Sequence, residues 1–302
     1  MSTFRAMNTD VSVIAVGDDE PRITNEVARI FAGAEERFSR FRDDSELSRL
    51  NRATGPTSVS REMFDALVAA RRYVEMTDGI FDPAIGATLS ALGYDRSFAP
   101  GALDREADRE LDAPRTRTAT FLDVQLDPVR SEVTRPAELQ LDLGGMIKGR
   151  TVDAAAECLP RHGAIDAGGD AVMRGGGRGW VVRVEHPRDA TKHVATLRVR
   201  DGAVATSAAN RRRWRVARSL RHHLVDPRTQ ASAQTDLLQA TVVAPCAELA
   251  DVLAKTAFVL GAERGRAFLA RWARVGAILV PAHGAPIVCG ALDLVTLSEG
   301  VL

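Results

Sequence analysis

The sequence predicts one domain of the α+β class, with mixed sheets, flanking helices and two closely packed lobes. The first observation is that strand-like and helix-like patterns follow each other irregularly, without the strand–helix–strand alternation that gives a parallel sheet. The second is composition, because 45% of the 302 residues are hydrophobic and 26% are charged, as in ordinary globular proteins. The third is an aperiodic stretch over 95–118, rich in Arg, Asp and Pro, where we expect the seam between the lobes.

The first third of the chain carries patterns for one strand and two helices. Residues 4–16 alternate between apolar and polar types, which predicts a strand. Apolar residues at helical spacing over 27–38 predict the first helix. Ser60 is a typical N-cap, and the apolar stripe over 64–74 predicts a second helix behind it. The turn-rich segment 77–83 (TDGIFDP) is expected to end that helix.

The rest of the chain mixes short strands with helices. Strands are expected at 139–143, 164–167, 180–184, 194–199 and 241–244, and in a hairpin formed by 278–281 and 286–288. Helices are expected at 152–159, 247–260 and 263–274. A glycine run at 175–179 precedes a strand rather than a helix, so it is interpreted as a hairpin turn and not as a nucleotide loop.

Charge and cysteine content exclude several classes of partner. Lys and Arg together number 40 and so do Asp and Glu, so net charge gives no reason to expect nucleic acid. The three cysteines are far apart and form no CxxC pair, which argues against a zinc site. No apolar run approaches the ~20 residues that cross a bilayer. Without an apolar leader or a lipobox-like cysteine at the N-terminus, a cytoplasmic protein is expected.

The segment 142–149 (DLGGMIKG) has the pattern of an anion-binding turn. Glycines between a strand and a helix allow a tight turn and a close approach to a ligand, and free N–H groups at the helix start favour a pyrophosphate. Lys148 adds a positive charge in the first helical turn. The segment is neither a Walker loop nor a GxGxxG fingerprint. Taken alone, it is equally well interpreted as an ordinary strand-to-helix turn.

Two further segments hold titratable groups at informative spacing. In 221–229, His223 and Asp226 lie three apart before a turn, and a histidine with a near-neutral pKa is a natural general base. A plain turn closed by Asp-Pro is the simpler interpretation of that segment alone. In 248–256, Asp251 and Lys255 lie one turn apart on an apolar helix. They form either an ion pair or, through the carboxylate, a ligand for Mg²⁺.

Together these segments and several others resemble the ApbE family, whose members are FAD:protein FMN transferases. The blocks cover most of the chain in the family's order. They are 4–9 (FRAMNT), 38–51 (FSRFRDDSELSRLN), 77–83 (TDGIFDP), 92–95 (LGYD), 142–153 (DLGGMIKGRTVD), 167–170 (AGGD), 205–207 (ATS), 223–229 (HLVDPRT) and 250–261 (ADVLAKTAFVLG). One such block is a weak signal, whereas this many in one order are specific.

The resemblance implies an enzyme that splits the pyrophosphate of FAD and transfers FMN to a Thr or Ser hydroxyl of an acceptor flavoprotein, releasing AMP. It implies that His223 is the base and that Lys148 assists catalysis at the phosphates. It also implies Mg²⁺ held by the carbonyl of Gly145 and the carboxylate of Asp251. The positions that it assigns to the FAD site are Met7, Phe41, Ile80, Phe81, Asp82, Asp142, Lys148 and Val225.

Three departures from the family pattern bear on mechanism. Lys255 occupies the position of a Thr that ligates the metal in the family, while Thr256 points about 100° away around the helix. The ammonium of Lys255 either takes the place of the metal or turns to the phosphates while Mg²⁺ still binds. Gln230 replaces a Gly after the DPRT motif, and the export signal of many relatives is absent. FAD binding without transfer, and metal-dependent FAD hydrolysis, are therefore the alternatives.

Overall fold

In a computed structural model of the chain, the structure describes residues 1–17, 19–95, 106–107, 119–175, 177–210, 212–216 and 219–298. The chain divides into two compact units. The first unit comprises Met1–Phe31, Lys148–Asn210 and Gln234–Leu302, and the second comprises Ala32–Ile147 and Arg211–Ala233. The seam predicted at 95–118 lies mostly outside the described residues. The predicted α+β class is confirmed, because helices flank several separate sheets.

The helices of the described residues are α1 (Glu20–Phe38), α2 (Glu46–Arg52), α3 (Arg61–Met76), α4 (Gly86–Ala91), α5 (Ile147–Ala156), α6 (Ala247–Leu260) and α7 (Ala262–Leu269), with a 3-10 turn at Phe121–Asp123. The strands are β1 (Ser2–Ala6), β2 (Thr9–Ala15), β3 (Thr57–Ser58), β4 (Glu106–Ala107), β5 (Gln125–Asp127), β6 (Glu132–Thr134), β7 (Gly163–Ala167), β8 (Asp170–Arg174), β9 (Trp180–His186), β10 (Asp189–Val199), β11 (Gly202–Ala208), β12 (Arg213–Val216), β13 (Ser219–His222), β14 (Val225–Asp226), β15 (Ala231–Ser232), β16 (Leu237–Ala244), β17 (Gly276–Pro281), β18 (Ile287–Gly290) and β19 (Leu294–Leu297). Among these helices, none is long and apolar enough to cross a membrane.

The first unit is built on an antiparallel sheet in the order β1-β2-β7-β8-β11-β16-β17-β18. The single strand predicted over 4–16 is wrong, because the segment folds as the β1–β2 hairpin. Met7 and Asn8 form its two-residue turn, with φ of 48° and 58°. Positive φ at both positions is the backbone of a type I′ turn, which matches the twist of the flanking strands. Alternation continues on both sides of the turn, so the pattern did not reveal it.

Both faces of this sheet are covered within the first unit. Side chains of α1 and α5 pack on one face against β2 and β7, with Val27, Phe31 and Val152 fully or almost fully buried. Ile278 and Val280 on β17, with Val243 on β16, pack on the other face against β9 and β10. Helix α6 lies along β11 and β16, and ten of its 14 residues are buried. Any charged side chain on α6 therefore needs a partner in the interior.

The second unit contains α2, α3 and α4 with three small sheets, ordered β3-β6-β5, β13-β12-β4 and β14-β15. Its interior is held by a buried arginine. Arg135 donates hydrogen bonds from Nε to the carbonyl of Leu50 at 3.0 Å and from Nη1 to that of Leu139 at 2.6 Å. Its Nη2 also donates to the carbonyls of Asn51 and Ala53. One guanidinium thus satisfies the carbonyl end of α2 and the loop before the DLGGMIKG segment.

The residues just before the two glycines are extended but belong to no sheet, so the strand predicted at 139–143 is wrong. The Asn51 side chain takes the place of a neighbouring strand. Its Nδ2 donates to the Leu141 carbonyl at 2.9 Å, and its Oδ1 accepts from the Leu141 amide at 2.8 Å. The Asp142 amide then donates to the carbonyl of Pro83 at 2.8 Å. These contacts fix the backbone that presents Asp142 to its partners.

The helix boundaries follow local sequence signals more closely. Ser60 caps α3 as predicted, accepting a hydrogen bond from the amide of Met63 at 3.2 Å. The helix ends at Met76, and Gly79, with φ of 74°, donates its amide back to the carbonyl of Val74 at 2.8 Å. The predicted helix end within 77–83 is thereby confirmed.

Candidate active site

The buried helix α6 carries an ion pair in the first unit. Lys255 Nζ donates a hydrogen bond to Oδ1 of Asp251, one turn earlier. The Asp251 side chain is only 2% exposed, whereas that of Lys255 is 20% exposed. The second carboxylate oxygen of Asp251, Oδ2, is buried and has no hydrogen-bond partner among the described residues. Of the two interpretations that the spacing left open, the structure contains the ion pair, and one acceptor oxygen of Asp251 has no hydrogen-bond partner among the described residues.

A second lysine–aspartate pair joins the first. Lys148, the second residue of α5, donates from Nζ to Oδ2 of Asp170 and to the carbonyl of Ala167 at 3.1 Å. Burial raises the pKa of Asp251 to about 6, and the charge of Asp170 adds to that rise, while Lys255 and Lys148 oppose it. Helix α6, which carries Asp251 and Lys255, contacts strand β8, which begins at Asp170. We call these four residues the charged cluster: Lys148, Asp170, Asp251 and Lys255.

The start of α5 is held against the start of α6 by Asp153 and Gly149. The Asp153 carboxylate accepts hydrogen bonds from the amides of Ala247 at 2.7 Å and Glu248 at 2.9 Å, which caps α6 from a neighbouring helix. Gly149 lies so close to the Ala247 carbonyl that a Cβ would stand 2.6 Å from its oxygen. Burial raises the pKa of Asp153, and the two amides oppose that rise. This junction fixes Lys148 relative to Asp251.

Asp153→Asn is expected to destabilise the protein by about 1–3 kcal/mol, because the amide NH₂ would face a backbone donor that the carboxylate oxygen accepts. Glu157→Gln is the matched control. The Glu157 side chain is 76% exposed, and among the described residues its ion pair is with Arg174. That control is expected to cost about 0–1 kcal/mol. Urea denaturation measures both, and equal losses would contradict the capping role of Asp153.

The charged cluster does not fit a divalent cation well. Two carboxylates are matched by two ammonium groups, and one oxygen of Asp251 already contacts Lys255. The Thr256 hydroxyl donates to the carbonyl of Val252 at 2.8 Å within its own helix, so it is not turned toward Asp251. Within the described part of the chain, no group of three or more His, Cys, Asp or Glu side chains gathers as a metal site. Magnesium prefers several oxygen ligands and excess negative charge.

In the second unit, Asp142 is paired with Arg40. Arg40 Nε contacts Oδ2 of Asp142, and both side chains are 10% exposed. The other oxygen, Oδ1, accepts from the amide of Gly144 at 2.6 Å, which orders the turn that leads toward α5. Neither Gly144 nor Gly145 has a positive φ. At Gly144 a Cβ would stand 2.9 Å from Oδ1 of Asp142, so the turn uses the small size of that glycine rather than a left-handed backbone.

The same arginine lies over an aromatic group, which we call the aromatic cluster: Phe41, Tyr94 and Trp214. The centre of the Arg40 guanidinium is 4.2 Å from the Phe41 ring centroid and 4.8 Å from that of Tyr94. Tyr94 stacks on Trp214 at 5.3 Å and 28°, and burial raises the pKa of its hydroxyl. Phe41, 36% exposed, presents an aromatic surface, while Trp214 is almost fully buried.

The predicted FAD residues of the TDGIFDP segment are buried. Ile80, Phe81 and Asp82 expose less than a tenth of their surfaces. Asp82 accepts from the amides of Ala84 at 2.7 Å and Phe121 at 3.3 Å, so its carboxylate orders the backbone of the second unit. These contacts make Asp82 a loop-fixing residue, and its contact with FAD stays a prediction.

The predicted base lies between β13 and β14 in the second unit. His223 Nδ1 is 3.3 Å from the carbonyl of Arg212. Because a carbonyl only accepts, Nδ1 carries the proton, and Nε2 is the basic nitrogen of the neutral ring. The carboxylate of Asp226 is held by Arg228, through Nε at 2.9 Å and Nη2 at 2.7 Å. Val225 packs beside Tyr94 and Trp214 at the aromatic cluster.

Gln230 stands where the family pattern has a glycine, and its backbone adopts a conformation that glycine favours. Its φ is 55°, in the left-handed region where glycine is favoured. The buried side chain compensates for this strain, because its Nε2 donates to the Pro227 carbonyl at 2.7 Å and its Oε1 accepts from Thr88. The turn next to His223 therefore keeps a left-handed residue at this position despite the substitution.

The variants Gln230→Gly and Gln230→Ala separate the contribution of the side-chain hydrogen bonds from the cost of the left-handed backbone. Glycine loses both hydrogen bonds but relieves the backbone, so a net loss of about 1 kcal/mol is expected. Alanine loses the same bonds and keeps the strain, which costs about 1 kcal/mol more. Urea denaturation should rank the variants Gln above Gly above Ala. An alanine variant more stable than the glycine variant would contradict the left-handed backbone.

The predicted site residues thus fall into two sets. Lys148, Asp251 and Lys255 come together in the first unit, where Met7 also lies, partly buried at the β1–β2 turn. In the second unit, the aromatic cluster brings together Phe41, Asp142 and Val225. The second unit also contains Ile80–Asp82, Gly145 and His223. Sequence reasoning assigned no role to Asp170, Arg40, Tyr94 or Trp214. The Asp directly after Gly168-Gly169 and the Arg beside Phe41 were visible signals for two of them.

Comparisons with known proteins agree with one another. A family model described as the ApbE family matches residues 7–279. A protein of Treponema pallidum (strain Nichols) named FAD:protein FMN transferase is 31% identical over 272 residues, covering 80% of this chain and 72% of that protein. A protein of the same name from Vibrio cholerae is 28% identical, covering 82% of this chain and 76% of that one.

Solved structures show the same fold. The ApbE protein of Thermotoga maritima superimposes with a TM-score of 0.81 at 23% identity, over 95% of this chain and 96% of that one. The flavin transferase ApbE of Vibrio cholerae gives a TM-score of 0.77 at 22% identity, with the same coverage.

Proposed function

The chain belongs to the ApbE family, and from that membership we propose that it transfers FMN from FAD to a Thr or Ser hydroxyl of an acceptor protein, releasing AMP. The observation that carries the proposal is the charged cluster, in which two partly exposed lysines are held by buried aspartates and one of them, Lys148, lies in the first turn of α5. Ammonium groups and free N–H groups at a helix start are the donors that a pyrophosphate needs. FAD is the substrate in this proposal, and an acceptor flavoprotein is the partner.

The proposed step exchanges one bond for another at phosphorus. The acceptor hydroxyl oxygen attacks the phosphorus of the FMN half, and the bond from that phosphorus to the bridging oxygen breaks. AMP leaves with the bridging oxygen and its electron pair. The hydroxyl proton passes to a base, so the products are the FMN phosphoester of the acceptor and AMP. The transition state carries extra negative charge on phosphate oxygens, which nearby cations stabilise.

Lys148 is proposed to stabilise that charge. Its ammonium is held by Asp170 and by the Ala167 carbonyl, and the Asp153–α6 junction fixes the helix that carries it. A cation positioned in advance does not need to reorganise as charge develops, which is why such groups accelerate a reaction. Its position on the first turn of α5 adds the favourable end of the helix dipole.

His223 is proposed as the base that takes the hydroxyl proton. The hydrogen bond from Nδ1 to the Arg212 carbonyl selects the tautomer in which Nε2 accepts a proton. The exposed face of Phe41, with Arg40, Tyr94 and Val225 beside it, is proposed to pack against a ring of FAD. The family resemblance also assigns Met7, Asp142 and residues 80–82 to FAD binding, and that role is proposed for them here.

The proposed transfer step does not depend on Mg²⁺. The family resemblance places it at the carbonyl of Gly145 and the carboxylate of Asp251, but Asp251 already contacts Lys255 and the charged cluster is neutral. Positive charge at the phosphates is therefore attributed to this chain's own lysines.

The test uses FAD and a purified acceptor domain that carries a Thr in a flavinylation motif. Covalent FMN on the acceptor, seen by mass spectrometry together with stoichiometric AMP, is the expected result. His223→Asn keeps a hydrogen-bonding side chain of similar size, and it is expected to lower the transfer rate by about 10²–10⁴-fold while FAD still binds. His193→Asn is the matched control, because His193 lies on an exposed part of β10 in the first unit and should leave transfer unchanged.

Two other outcomes separate the alternatives. AMP and free FMN without acceptor labelling would identify an FAD hydrolase in place of a transferase. FAD binding without AMP release, with several acceptors, would identify a flavin-binding protein. An unchanged rate in the His223 variant would remove the proposed base while leaving transfer itself in place.

A further inference from the structure

Lys255 lies at a position where the family resemblance leads one to expect an oxygen ligand for a metal, and its ammonium contacts the Asp251 carboxylate directly. We infer that the Lys255 ammonium is a permanent cation that replaces the divalent metal beside Asp251, so that this protein binds FAD without Mg²⁺. The inference rests on the proposed function, because it concerns the pyrophosphate site of that reaction.

The first argument is charge balance within the first unit. Asp170 and Asp251 are each 2% exposed, and each contacts one lysine ammonium. Each of these two carboxylates is therefore already paired with an ammonium of this chain before any ion binds. A divalent cation at Asp251 would stand next to the Lys255 ammonium, which contacts the same carboxylate. Since like charges repel most strongly where water is excluded, Lys255 and a metal compete for the same carboxylate.

The second argument is the supply of oxygen ligands. Of the two Asp251 oxygens, only Oδ2 lacks a hydrogen bond with the described residues, and the Thr256 hydroxyl is committed to the Val252 carbonyl. Mg²⁺ at a phosphate site uses one or two carboxylates together with waters and phosphate oxygens, and here the one carboxylate at this position is already shared with Lys255. An ammonium needs no such set, because a single carboxylate and phosphate oxygens satisfy its three donors.

The third argument is the position of the ammonium. Lys255 Nζ donates to Asp251 and to no other described acceptor, so two of its three N–H donors remain for a ligand. Its side chain is 20% exposed, which leaves the tip accessible. Lys148, by contrast, already donates to Asp170 and to the Ala167 carbonyl. Of the two lysines, Lys255 is thus the one with more donors to offer to phosphate oxygens.

The experiment compares FAD binding in EDTA with binding in millimolar Mg²⁺, using metal-stripped full-length protein and quenching of flavin fluorescence. For the unaltered protein the Kd is expected to be the same within about twofold under both conditions. Lys255→Thr places a hydroxyl one turn after Asp251. It is expected to bind FAD about tenfold more weakly in EDTA and to recover in Mg²⁺. Lys255→Met, which offers neither charge nor oxygen, is expected to bind weakly under both conditions.

Three controls keep the result interpretable. Thermal unfolding by circular dichroism shows whether each variant folds. The double variant Asp251→Asn/Lys255→Met removes both charges together, so a folded double variant with weak FAD binding still reports on the missing ammonium. Lys192→Thr changes a lysine that is 71% exposed on β10, and its FAD binding should match the unaltered protein in EDTA. Calorimetric titration with Mg²⁺ alone should show binding to Lys255→Thr and none to the unaltered protein.

The outcomes distinguish this inference from the proposed function. Loss of FAD binding by the unaltered protein in EDTA, restored by Mg²⁺, would overturn the inference and leave transfer intact. Metal-independent FAD binding without AMP or labelled acceptor would support the inference and overturn transfer. Failure to bind FAD under either condition would overturn both.

Discussion

Lys148→Met is expected to slow FMN transfer by about a hundredfold or more, because it removes a fixed cation that stabilises charge in the transition state. It is also expected to cost about 3–5 kcal/mol of stability. The physical reason is that Asp170, 2% exposed, loses the ammonium that neutralises it. Transfer is measured as AMP release with a saturating acceptor, and stability by urea denaturation.

The double variant Lys148→Met/Asp170→Asn separates these effects. Because it removes the stranded carboxylate, most of the lost stability should return while transfer stays slow. Recovery of transfer in the double variant would show that Lys148 acts only by keeping the first unit folded. A rate within about threefold of normal in the single variant would remove it from the catalytic step altogether.

Arg135→Met is expected to be the most destabilising single change in the second unit, by about 4 kcal/mol or more. The guanidinium is 9% exposed and donates to six backbone carbonyls, those of Leu50, Asn51, Ala53, Pro136, Ala137 and Leu139. Methionine keeps much of the volume but leaves several buried acceptors unsatisfied, and each costs about 1–3 kcal/mol. Urea denaturation, followed by both circular dichroism and tryptophan fluorescence, measures the loss.

Two further variants calibrate that result. Arg135→Lys retains the charge but not the planar fork of donors, so an intermediate loss is expected. Arg130→Met removes an exposed arginine a few residues earlier and should change stability by less than about 0.5 kcal/mol. If the Arg135 and Arg130 variants lose the same stability, the carbonyl network does not hold the second unit together.

The sequence predicted the elements whose signals are local. The helix at 247–260 matches α6 residue for residue, because a long apolar run ends at Gly261. The strands expected at 180–184 and 194–199 form the β9–β10 pair. The β1–β2 turn was missed because alternation passes through it, and the strand at 139–143 was wrong because a side chain of Asn51 supplies its partner groups.

The part of the candidate site that the sequence predicted is likewise the part that local motifs and helical spacing encode. Lys148 and Asp251 came from motifs read along the chain, and the Asp251–Lys255 pair follows from helical spacing. The Lys148–Asp170 pair joins residues 22 positions apart, and the Trp214 indole donates to the carbonyl of Leu92, 122 positions away. No local period encodes such partners, so they emerge only when the strands and loops are placed.

The order of strands in the first unit has a consequence for how the chain folds. Strand β2 pairs with β7, so residues 11–15 cannot pair within the sheet on that side until residues 163–167 are available. Most of the second unit, Ala32–Ile147, is synthesised in that interval. Pairing across so long a separation carries a large loop-closure entropy and folds slowly. On the ribosome, β2 should therefore lack its partner strand until the chain beyond residue 167 emerges, so the sheet of the first unit is completed late in synthesis.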